Sequence, residues 1–112
     1  MKPCINLWIE KDGEVVLSEW RVGLLEAIAD TGSISAAAAK LKVPYHRAWD
    51  KLEEMEKGLG LKLVATQTGG SGGGGARLTS AGLDYVEKFR RFEAGFQEQI
   101  ERRFVEVFGR ED

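Results

Sequence analysis

Histidine and cysteine, the side chains that most often bind metals or act as nucleophiles, occur once each in this 112-residue chain, at His46 and Cys4. A zinc site needs several such ligands, so the sequence predicts no metal site, and a lone cysteine excludes an internal disulfide. No pair of carboxylates and no nucleophile beside a base indicates catalysis. We therefore expect neither an enzyme nor a cofactor, and we expect Cys4 to be a small buried strand residue.

A run of glycines over Gly69–Gly75, interrupted by Ser71, has the composition of a phosphate-binding loop. A Walker loop, however, requires Gly-Lys followed by Ser or Thr at the point where a helix begins. Here no lysine follows the run, which leads into a strand-like segment at Ala76-Arg77-Leu78. The sequence therefore does not predict a nucleotide-binding loop.

Polar side chains that can form several hydrogen bonds are concentrated in one short stretch. Apolar residues recur every three or four positions between 48 and 59, which is the spacing of one helix face. The sequence predicts a helix from about Tyr45 to Lys57, ended by the glycines that follow, and Trp49 borders its apolar stripe and is expected in the core. The residues left outside the core are Tyr45, His46, Arg47, Asp50 and Lys51.

A shorter helix is predicted immediately before this one. Ser33 or Ser35 can cap it, and the alanines from Ala36 to Ala39 favour a helix while keeping its side chains small. Pro44 separates the two helices and suits the first turn of the second. Two short helices joined by a tight turn, the second of them polar, form a helix-turn-helix.

A β-hairpin and a further helix are predicted before this motif. Two runs of strand-forming residues are joined by Asp12-Gly13, a sequence that favours a tight hairpin turn. Ser18 can then cap a helix whose end is marked by Thr31-Gly32. Its apolar stripe is expected to lie in the core.

A long amphipathic helix is predicted at the end of the chain, with Thr79 as its cap. At about 1.5 Å per residue a helix from Thr79 to Phe108 would be about 45 Å long. The rest of so small a domain cannot cover the aromatic stripe of such a helix. A second copy of the chain is the simplest partner that could cover it. The expected dimer interface consists of Phe89, Phe92, Phe96, Ile100, Phe104 and Phe108.

The sequence thus predicts a single winged helix-turn-helix domain over residues 1–112, of the α+β class and mostly α. Its expected parts are an N-terminal β-hairpin (1–17), a helix plus the helix-turn-helix (18–60), a wing (61–78) and a long C-terminal dimerisation helix (79–109).

The net charge of −2 is unusual for a nucleic-acid-binding protein, but the charges are unevenly distributed. Residues 33–82 carry seven Lys or Arg against four Asp or Glu, whereas the flanking segments are acidic. A moderate basic patch can still bind phosphates, with an affinity that salt weakens readily. No apolar run approaches the roughly 18 residues of a membrane span, so we expect a cytoplasmic protein with no membrane partner.

Three segments in this order, GSISAAA, PYHRAWDKLEEME and TGGSGGGGARLTSAG, resemble one family. They are similar to the N-terminal domain of the ModE-type molybdate-responsive transcriptional regulators, whose winged helix is related to that of LysR-type proteins. The resemblance covers roughly Ser18 to Gly82 by motif and the whole chain by the order of its elements. It implies that the second helix of the motif enters the major groove of DNA, that the wing extends towards the minor groove, and that the last helix pairs with its twin.

Carried over by position, the resemblance assigns a set of DNA-binding residues. Ser33 and Ser35 are expected to offer backbone amides and hydroxyls to phosphate. The wing glycines either let the backbone lie flat against DNA or form a disordered loop that orders on binding. Ser71 stands at the wing tip where a basic residue is expected, so the wing should attract DNA only weakly. The whole set is Ser33, Ser35, Pro44, Tyr45, His46, Arg47, Lys51, Thr68, Gly70, Ser71, Gly72 and Arg77.

Individual roles on the second helix can be assigned from side-chain chemistry. Arg47 is expected to donate two hydrogen bonds to guanine, and His46 is expected beside the DNA backbone. Tyr45 either stacks on a sugar or donates to phosphate, or it packs at the start of the helix. Asp50 either accepts from a cytosine amino group or holds Arg47 or His46 in place, and we favour the second role. Lys51 is expected to bind DNA as well.

The resemblance implies a homodimeric, sequence-specific transcriptional regulator that binds double-stranded DNA, with half-sites about 34–36 Å apart or a multiple of that distance. Its target genes would concern molybdenum or tungsten. ModE-type regulators continue into C-terminal molybdate-binding domains, whereas this sequence ends at Asp112, so we do not expect it to sense molybdate directly. The alternative is a partner-dependent module that forms heterodimers with a full-length regulator or docks a separate effector-binding protein.

Overall fold

Strands and helices follow one another in the order predicted for a winged helix, and together they form a mixed α and β fold with more helix than strand. The computed structural model describes residues 1–67 and 75–110. The elements are β1 (Trp8–Lys11), β2 (Glu14–Ser18), α1 (Glu19–Thr31), α2 (Ile34–Lys40), α3 (Tyr45–Leu59), β3 (Val64–Gln67), β4 (Gly75–Leu78), α4 (Ser80–Glu93) and α5 (Phe96–Phe108).

The N-terminal hairpin has the turn that its sequence predicts. Asp12 and Gly13 both have positive φ angles, 53° and 80°, as the tight turn between paired antiparallel strands requires. β2 then continues directly into α1, where the hydroxyl of Ser18 accepts a hydrogen bond from the backbone amide of Arg21 at 3.1 Å. The predicted hairpin turn and helix cap are both confirmed.

The helix-turn-helix is built on small and branched apolar residues. Ala37 and Ala38 of α2 are buried, so α2 can approach its neighbours closely, as the alanine run predicts. α3 runs to Leu59 and is capped by Gly60, which has a left-handed φ of 73°. The helix thus continues through Gly58, where the sequence predicted that it would already have ended. Leu59 packs against both apolar clusters of the domain, and this packing outweighs the low helix propensity of the glycine. The main core contains Leu24, Leu25, Ala27, Ile28, Ile34, Ala37, Ala38, Ala48, Leu52, Met55, Leu63 and Val64.

The second hairpin is attached to the helices at its base. β3 and β4 are antiparallel, with Val64 opposite Leu78 and Gln67 opposite Gly75. The backbone amide of Ala76 donates to the carbonyl of Gly32, at the end of α1, over 2.8 Å. The base of the predicted wing is therefore fixed against the turn between α1 and α2.

A carboxylate of α3 also holds the start of the wing. One oxygen of Glu56 accepts hydrogen bonds from the backbone amides of Leu63 and Val64, at 2.9 and 3.2 Å. Glu56 therefore sets the position of β3 relative to α3. The other carboxylate oxygen pairs with Lys62 at 3.4 Å.

The C-terminal segment differs from the single helix that the sequence predicts over 79–109. Thr79 caps it as expected, by accepting from the backbone amide of Gly82 at 3.0 Å, but α4 and α5 are separate helices. Ala94 has an extended ψ of 130°, and Gly95 takes a left-handed φ of 85°. Glycine adopts this conformation without the steric cost that other residues meet, so the chain turns at this point.

Phe89 was expected in a dimer interface, and this expectation is wrong. Its side chain is 1% exposed and packs against Val16, Leu17 and Val22 of the same chain. The N-terminal hairpin folds onto α4 and covers this aromatic ring, a long-range contact that helical spacing alone does not indicate. Phe89 therefore belongs to the core of one chain.

The first residues of the chain lie beside α5. The side-chain amide of Gln97 donates to the carbonyl of Pro3 at 2.9 Å, across 94 positions of sequence. Cys4, in this same segment, is exposed and lies before β1, so the expectation of a buried strand residue is also wrong. Of residues 1–7 only Pro3 and Leu7 are half-buried and the rest are exposed, so this segment forms no core in which the thiol could be buried. Among the described residues, no helix is long and apolar enough to span a bilayer.

Arg90 connects α4 to α1. Its guanidinium donates to the carboxylates of Glu19 and Glu26 on α1 and of Glu93 on α4. The hydrogen bond from Arg90 lowers the pKa of Glu19 below its ordinary value, although partial burial of Glu19 opposes this shift. The cluster therefore helps to fix the angle between α1 and α4.

Candidate nucleic-acid interface

The polar face of α3 is exposed as its sequence predicts. Tyr45, His46, Arg47 and Asp50 are all exposed, whereas Ala48 on the opposite face is fully buried. Helical spacing therefore places these four side chains on the solvent side of the core.

The beginning of α3 presents backbone donors. Pro44 occupies the capping position, and no side chain accepts a hydrogen bond from the first turn. The uncapped amides at a helix start carry partial positive charge and favour an anion such as phosphate. Pro44 therefore has the placement expected of a residue at the interface.

A cleft of about 360 Å³ lies beside this helix start, between α2, α3 and the base of the wing. Ser33, Ser35 and Tyr45, three of the residues expected to bind DNA, line it together. Trp49 lines it as well and is only half-buried, with its ring 6.3 Å from that of Tyr45 in an edge-to-face arrangement. The complete lining is Ser33, Ile34, Ser35, Tyr45, Trp49, Thr66, Gln67, Gly75 and Ala76.

Sequence reasoning missed three polar or aromatic residues of this cleft. Trp49 was expected in the core, and it does pack against the core, but it is half-buried and also lines the cleft beside Tyr45, four residues earlier on α3. Thr66 and Gln67 are exposed at the end of β3. No motif marks them, and only the return of β4 against α1 brings them to the cleft.

The two serines at α2 are not equivalent. The hydroxyl of Ser33 caps α2 by accepting a hydrogen bond from the backbone amide of Ala36 at 3.1 Å. The backbone amide of Ser33 donates to the hydroxyl of Thr31 at 3.3 Å. The backbone amide of Ser33 is thus already engaged, contrary to the expectation that it would face phosphate. Its hydroxyl can still donate, and Ser35 is exposed.

The cations of the expected set differ in their partners. Among the described residues, neither Arg47 nor Arg77 forms an ion pair, and both are exposed. Ala76 and Leu78 pack against the core, so the alternation of β4 directs Arg77 away from it. Lys51 is half-buried and pairs with Glu54 at 3.2 Å.

Asp50 does not hold Arg47 or His46 in place, the role favoured from the sequence. Within residues 1–67 and 75–110, no hydrogen bond or ion pair joins its carboxylate to either side chain. A residue three or four positions away on a helix is close enough to pair, but here the side chains extend into solvent instead. Asp50 remains exposed and ionisable on the same face.

Four residues of the expected set, Thr68, Gly70, Ser71 and Gly72, lie outside the described residues. Their proposed contacts with DNA stay predictions.

The remaining aromatic residues form a second surface, on α4 and α5. The side chains of Phe92 and Phe108 are 52% and 68% exposed, and no residue of α5 is buried. Phe92 meets Phe96 edge to face across the helix break at 5.4 Å, and Phe104 stacks on Phe108 at 4.8 Å. Phe96, Ile100 and Phe104 are half-buried.

The sequence profile of the bacterial regulatory helix-turn-helix proteins of the LysR family matches residues 21–83. The chain is 42% identical over 87 residues to the molybdenum-pterin-binding protein MopB of Rhodobacter capsulatus, covering 78% of this chain and 32% of that protein. It is 36% identical over 104 residues to the molybdenum transport protein ModE of Azotobacter vinelandii, covering 90% of this chain and 38% of that protein. The chain thus spans about a third of the length of these relatives, and the predicted resemblance to ModE-type proteins is confirmed.

Solved structures share the fold. The DNA-binding domain of CbnR, determined as a DNA complex, superposes with a TM-score of 0.61 at 24% identity over 79% of this chain and 95% of that domain. Full-length LysG from Corynebacterium glutamicum gives a TM-score of 0.58 at 22% identity, over 78% of this chain and 29% of that protein. The predicted winged helix-turn-helix is therefore confirmed. Because the matched profile covers more than half of the residues, the chain belongs to the LysR family of bacterial regulatory helix-turn-helix proteins.

Proposed function

We propose that this protein is a sequence-specific, DNA-binding transcriptional regulator that acts as a homodimer. The observation that carries this proposal is the bare polar face of α3, where Arg47 is exposed and unpaired among the described residues beside the uncapped helix start. A helix of this kind fits the major groove of DNA, which is about 12 Å wide. Membership of a family of regulatory helix-turn-helix proteins supports the same conclusion.

Within this interface we assign roles by chemistry. Arg47 donates two hydrogen bonds to a guanine, the commonest specific contact in the major groove. The Ser33 hydroxyl, Ser35 and the α3 amides after Pro44 bind phosphate, and phosphate contacts fix the register of the protein on DNA. The remaining expected contacts belong to the same proposal: Tyr45, His46, Lys51, Thr68, Gly70, Ser71, Gly72 and Arg77.

Dimerisation is assigned to the aromatic surface of α4 and α5. Phe92, Phe96, Ile100, Phe104 and Phe108 lie along this surface, and none of the α5 residues is fully buried within its own chain. A second copy would cover these rings and would bring two copies of α3 to one side of a two-fold axis. In this proposal the chain is one domain with the hairpin (1–17), helix-turn-helix region (18–60), wing (61–78) and dimerisation segment (79–109).

The regulated genes are assigned only by similarity. Relatives named for molybdenum-pterin binding and molybdenum transport are 42% and 36% identical to this chain. We propose that this protein also regulates genes concerned with molybdenum or tungsten, in the cytoplasm and without catalytic activity.

The test is selection of bound duplexes from a random DNA pool with the purified chain alone at moderate salt. The proposal predicts an enriched two-fold-symmetric motif whose enrichment is lost with Arg47→Ala. Weak binding without an enriched sequence would contradict it. A salt titration of the selected duplex then separates base contacts from phosphate contacts, since only the latter change the salt slope.

A second candidate is a module that depends on a partner protein. The observation that favours it is that no residue of α5 is fully buried, so that a full-length regulator or a separate effector-binding protein would also cover this helix. This candidate predicts weak, unselective DNA binding by the chain alone and selective binding after the partner is added. A selective homodimer would exclude it.

A further inference from the structure

Two cations share a single carboxylate oxygen on α3. The oxygen Oε2 of Glu54 lies 3.0 Å from Nη2 of Arg21 and 3.2 Å from Nζ of Lys51. Lys51 precedes Glu54 by three positions on α3, whereas Arg21 comes from the first turn of α1. The three side chains therefore connect two helices at the edge of the face proposed to bind DNA.

The two cations differ in their freedom to move. The side chain of Arg21 is 12% exposed and is held between α1 and α3, whereas that of Lys51 is 33% exposed and ends at the surface. Partial burial alone would raise the pKa of Glu54, but Lys51 and Arg21 together bring it below its ordinary value. Glu54 is therefore ionised at neutral pH and kept in place by the less mobile cation.

An ammonium group that already has a carboxylate partner is a poorer ligand for phosphate. To bind DNA, the Lys51 ammonium either leaves Glu54 or divides its three N–H donors between the carboxylate and a phosphate. In both cases Glu54 remains paired with Arg21, and its negative charge opposes the approach of the phosphate. Non-specific DNA affinity depends mainly on the number of phosphates that cations neutralise. The loss of one available cation therefore lowers affinity and the number of counterions released.

We propose that Glu54, positioned by Arg21, is an affinity-setting residue that holds Lys51 back from the DNA phosphates and so weakens DNA binding by this protein. This inference rests on the proposed DNA-binding function and adds to it an acidic residue and a half-buried arginine that no DNA-contacting motif contains. Arg21 is a positioning residue in this arrangement, because it acts through Glu54.

The chain offers a matched control at the neighbouring position. Glu53 is exposed on the same helix and forms no ion pair among the described residues. Glu53→Gln and Glu54→Gln therefore remove the same charge at adjacent exposed positions of α3, and only Glu54→Gln releases Lys51. Both positions are at the surface, and thermal unfolding of each variant checks that the fold is retained.

The experiment measures binding of each variant to a labelled duplex, both random in sequence and selected, over a series of salt concentrations. We expect Glu54→Gln to bind about two- to fivefold more tightly than Glu53→Gln, the range of a typical exposed ion pair. Its salt slope should be steeper by up to about 0.9, the value of one phosphate contact. In a Lys51→Gln background, Glu54→Gln and Glu53→Gln should bind equally, because no lysine remains to be released.

Each contrary outcome has a distinct meaning. Equal affinities and salt slopes for Glu53→Gln and Glu54→Gln, in a protein that binds DNA, would overturn this inference and leave the proposed function intact. This inference is also overturned, and the proposed function left intact, if Glu54→Gln still binds DNA more tightly than Glu53→Gln in the Lys51→Gln background. A wild-type protein that binds no duplex would overturn the proposed function, and this inference with it.

Discussion

The carboxylate of Glu56, near the end of α3, accepts a hydrogen bond of 2.9 Å from the backbone amide of Leu63, just before β3. It accepts a second from the amide of Val64, so one side chain satisfies two backbone donors at the junction between the helix-turn-helix and the wing. Leu63 and Val64 are 0% and 5% exposed, so loss of this acceptor would leave two poorly solvated amides unpaired. The angle between α3 and the wing therefore depends on Glu56.

Glu56→Ala should lower the free energy of unfolding by about 1–3 kcal/mol, because buried amides are left without an acceptor. Glu56→Gln should lose less, since its carbonyl oxygen can still accept. Urea denaturation measures both changes. Glu53→Ala, on an exposed site of the same helix, is the control and should change stability by less than about 0.5 kcal/mol. Similar losses for Glu56→Ala and Glu53→Ala would contradict the role given to this carboxylate.

Gly82→Ala should destabilise the protein even though alanine is the better helix former. A Cβ atom at Gly82, in the first turn of α4, would overlap the backbone carbonyl of Leu63, which cannot rotate away. We expect a loss of about 1–3 kcal/mol in the free energy of unfolding, as for other overpacked sites. Thermal or urea denaturation measures it.

Gly23→Ala is the matched control for this prediction. Gly23 also lies within a helix, but a Cβ there meets no atom within 4 Å. Alanine at this position should therefore stabilise the protein, by about 0.5–1 kcal/mol. Equal effects of the two substitutions would show that α4 and the strand start are farther apart in solution.

The Arg90 cluster should contribute to the pH dependence of stability. Arg90 lowers the folded-state pKa of Glu19, so the stabilisation is fully present above the ordinary carboxyl pKa of 4.5 and is lost as the pH falls through the folded value. Arg90→Met should therefore show a smaller decrease in unfolding free energy between neutral pH and acid than the wild type. Urea denaturation at several pH values measures this slope.

Arg91→Met is the control for the pH experiment. Arg91 is more exposed and lies 3.7 Å from its carboxylate partner Glu87. Ion pairs of this kind contribute little, so the pH slope should equal that of the wild type. An unchanged slope in Arg90→Met would mean that the cluster adds nothing to acid sensitivity.

Removing the aromatic rings at the end of α5 should dissociate the proposed dimer without unfolding either chain. We expect the double variant Phe104→Ser, Phe108→Ser to sediment as a monomer, because the stacked pair that a second copy would cover is absent. Its circular dichroism should keep the core helices, since α5 buries none of its residues. Gln99→Ser, at an exposed α5 position, should remain dimeric, and a monomeric wild type would refute the assignment.

Local signals in the sequence were sufficient for much of this fold. The turn at Asp12-Gly13 and the caps at Ser18 and Ser33 depend on residues within three positions of one another, and all three occur in the structure. α3 and its exposed face follow from helical spacing alone. The core of the motif is therefore encoded in short stretches of chain.

Features that depend on distant contacts were not predictable in this way. Phe89 has the spacing of an exposed stripe but is covered by the N-terminal hairpin. Lys51 lies on the expected face, yet a carboxylate fixed by Arg21 pairs with it. Gly95 interrupts a continuous helical pattern, and a glycine within such a pattern does not by itself specify whether the helix bends, ends or continues.

Because no residue of α5 is buried, the strength of dimer association and the choice of DNA site can change independently of each other. In the proposed dimer, substitutions in α5 would change how strongly two copies associate, while the folding of the region from α1 to α4 and the bases it is proposed to read would stay the same. The concentration at which a target site becomes half occupied can then be adjusted without any change in which site is chosen. Regulators that prefer the same DNA sequence can in this way come to differ in the protein concentration they need to occupy it, through changes in their last helix alone.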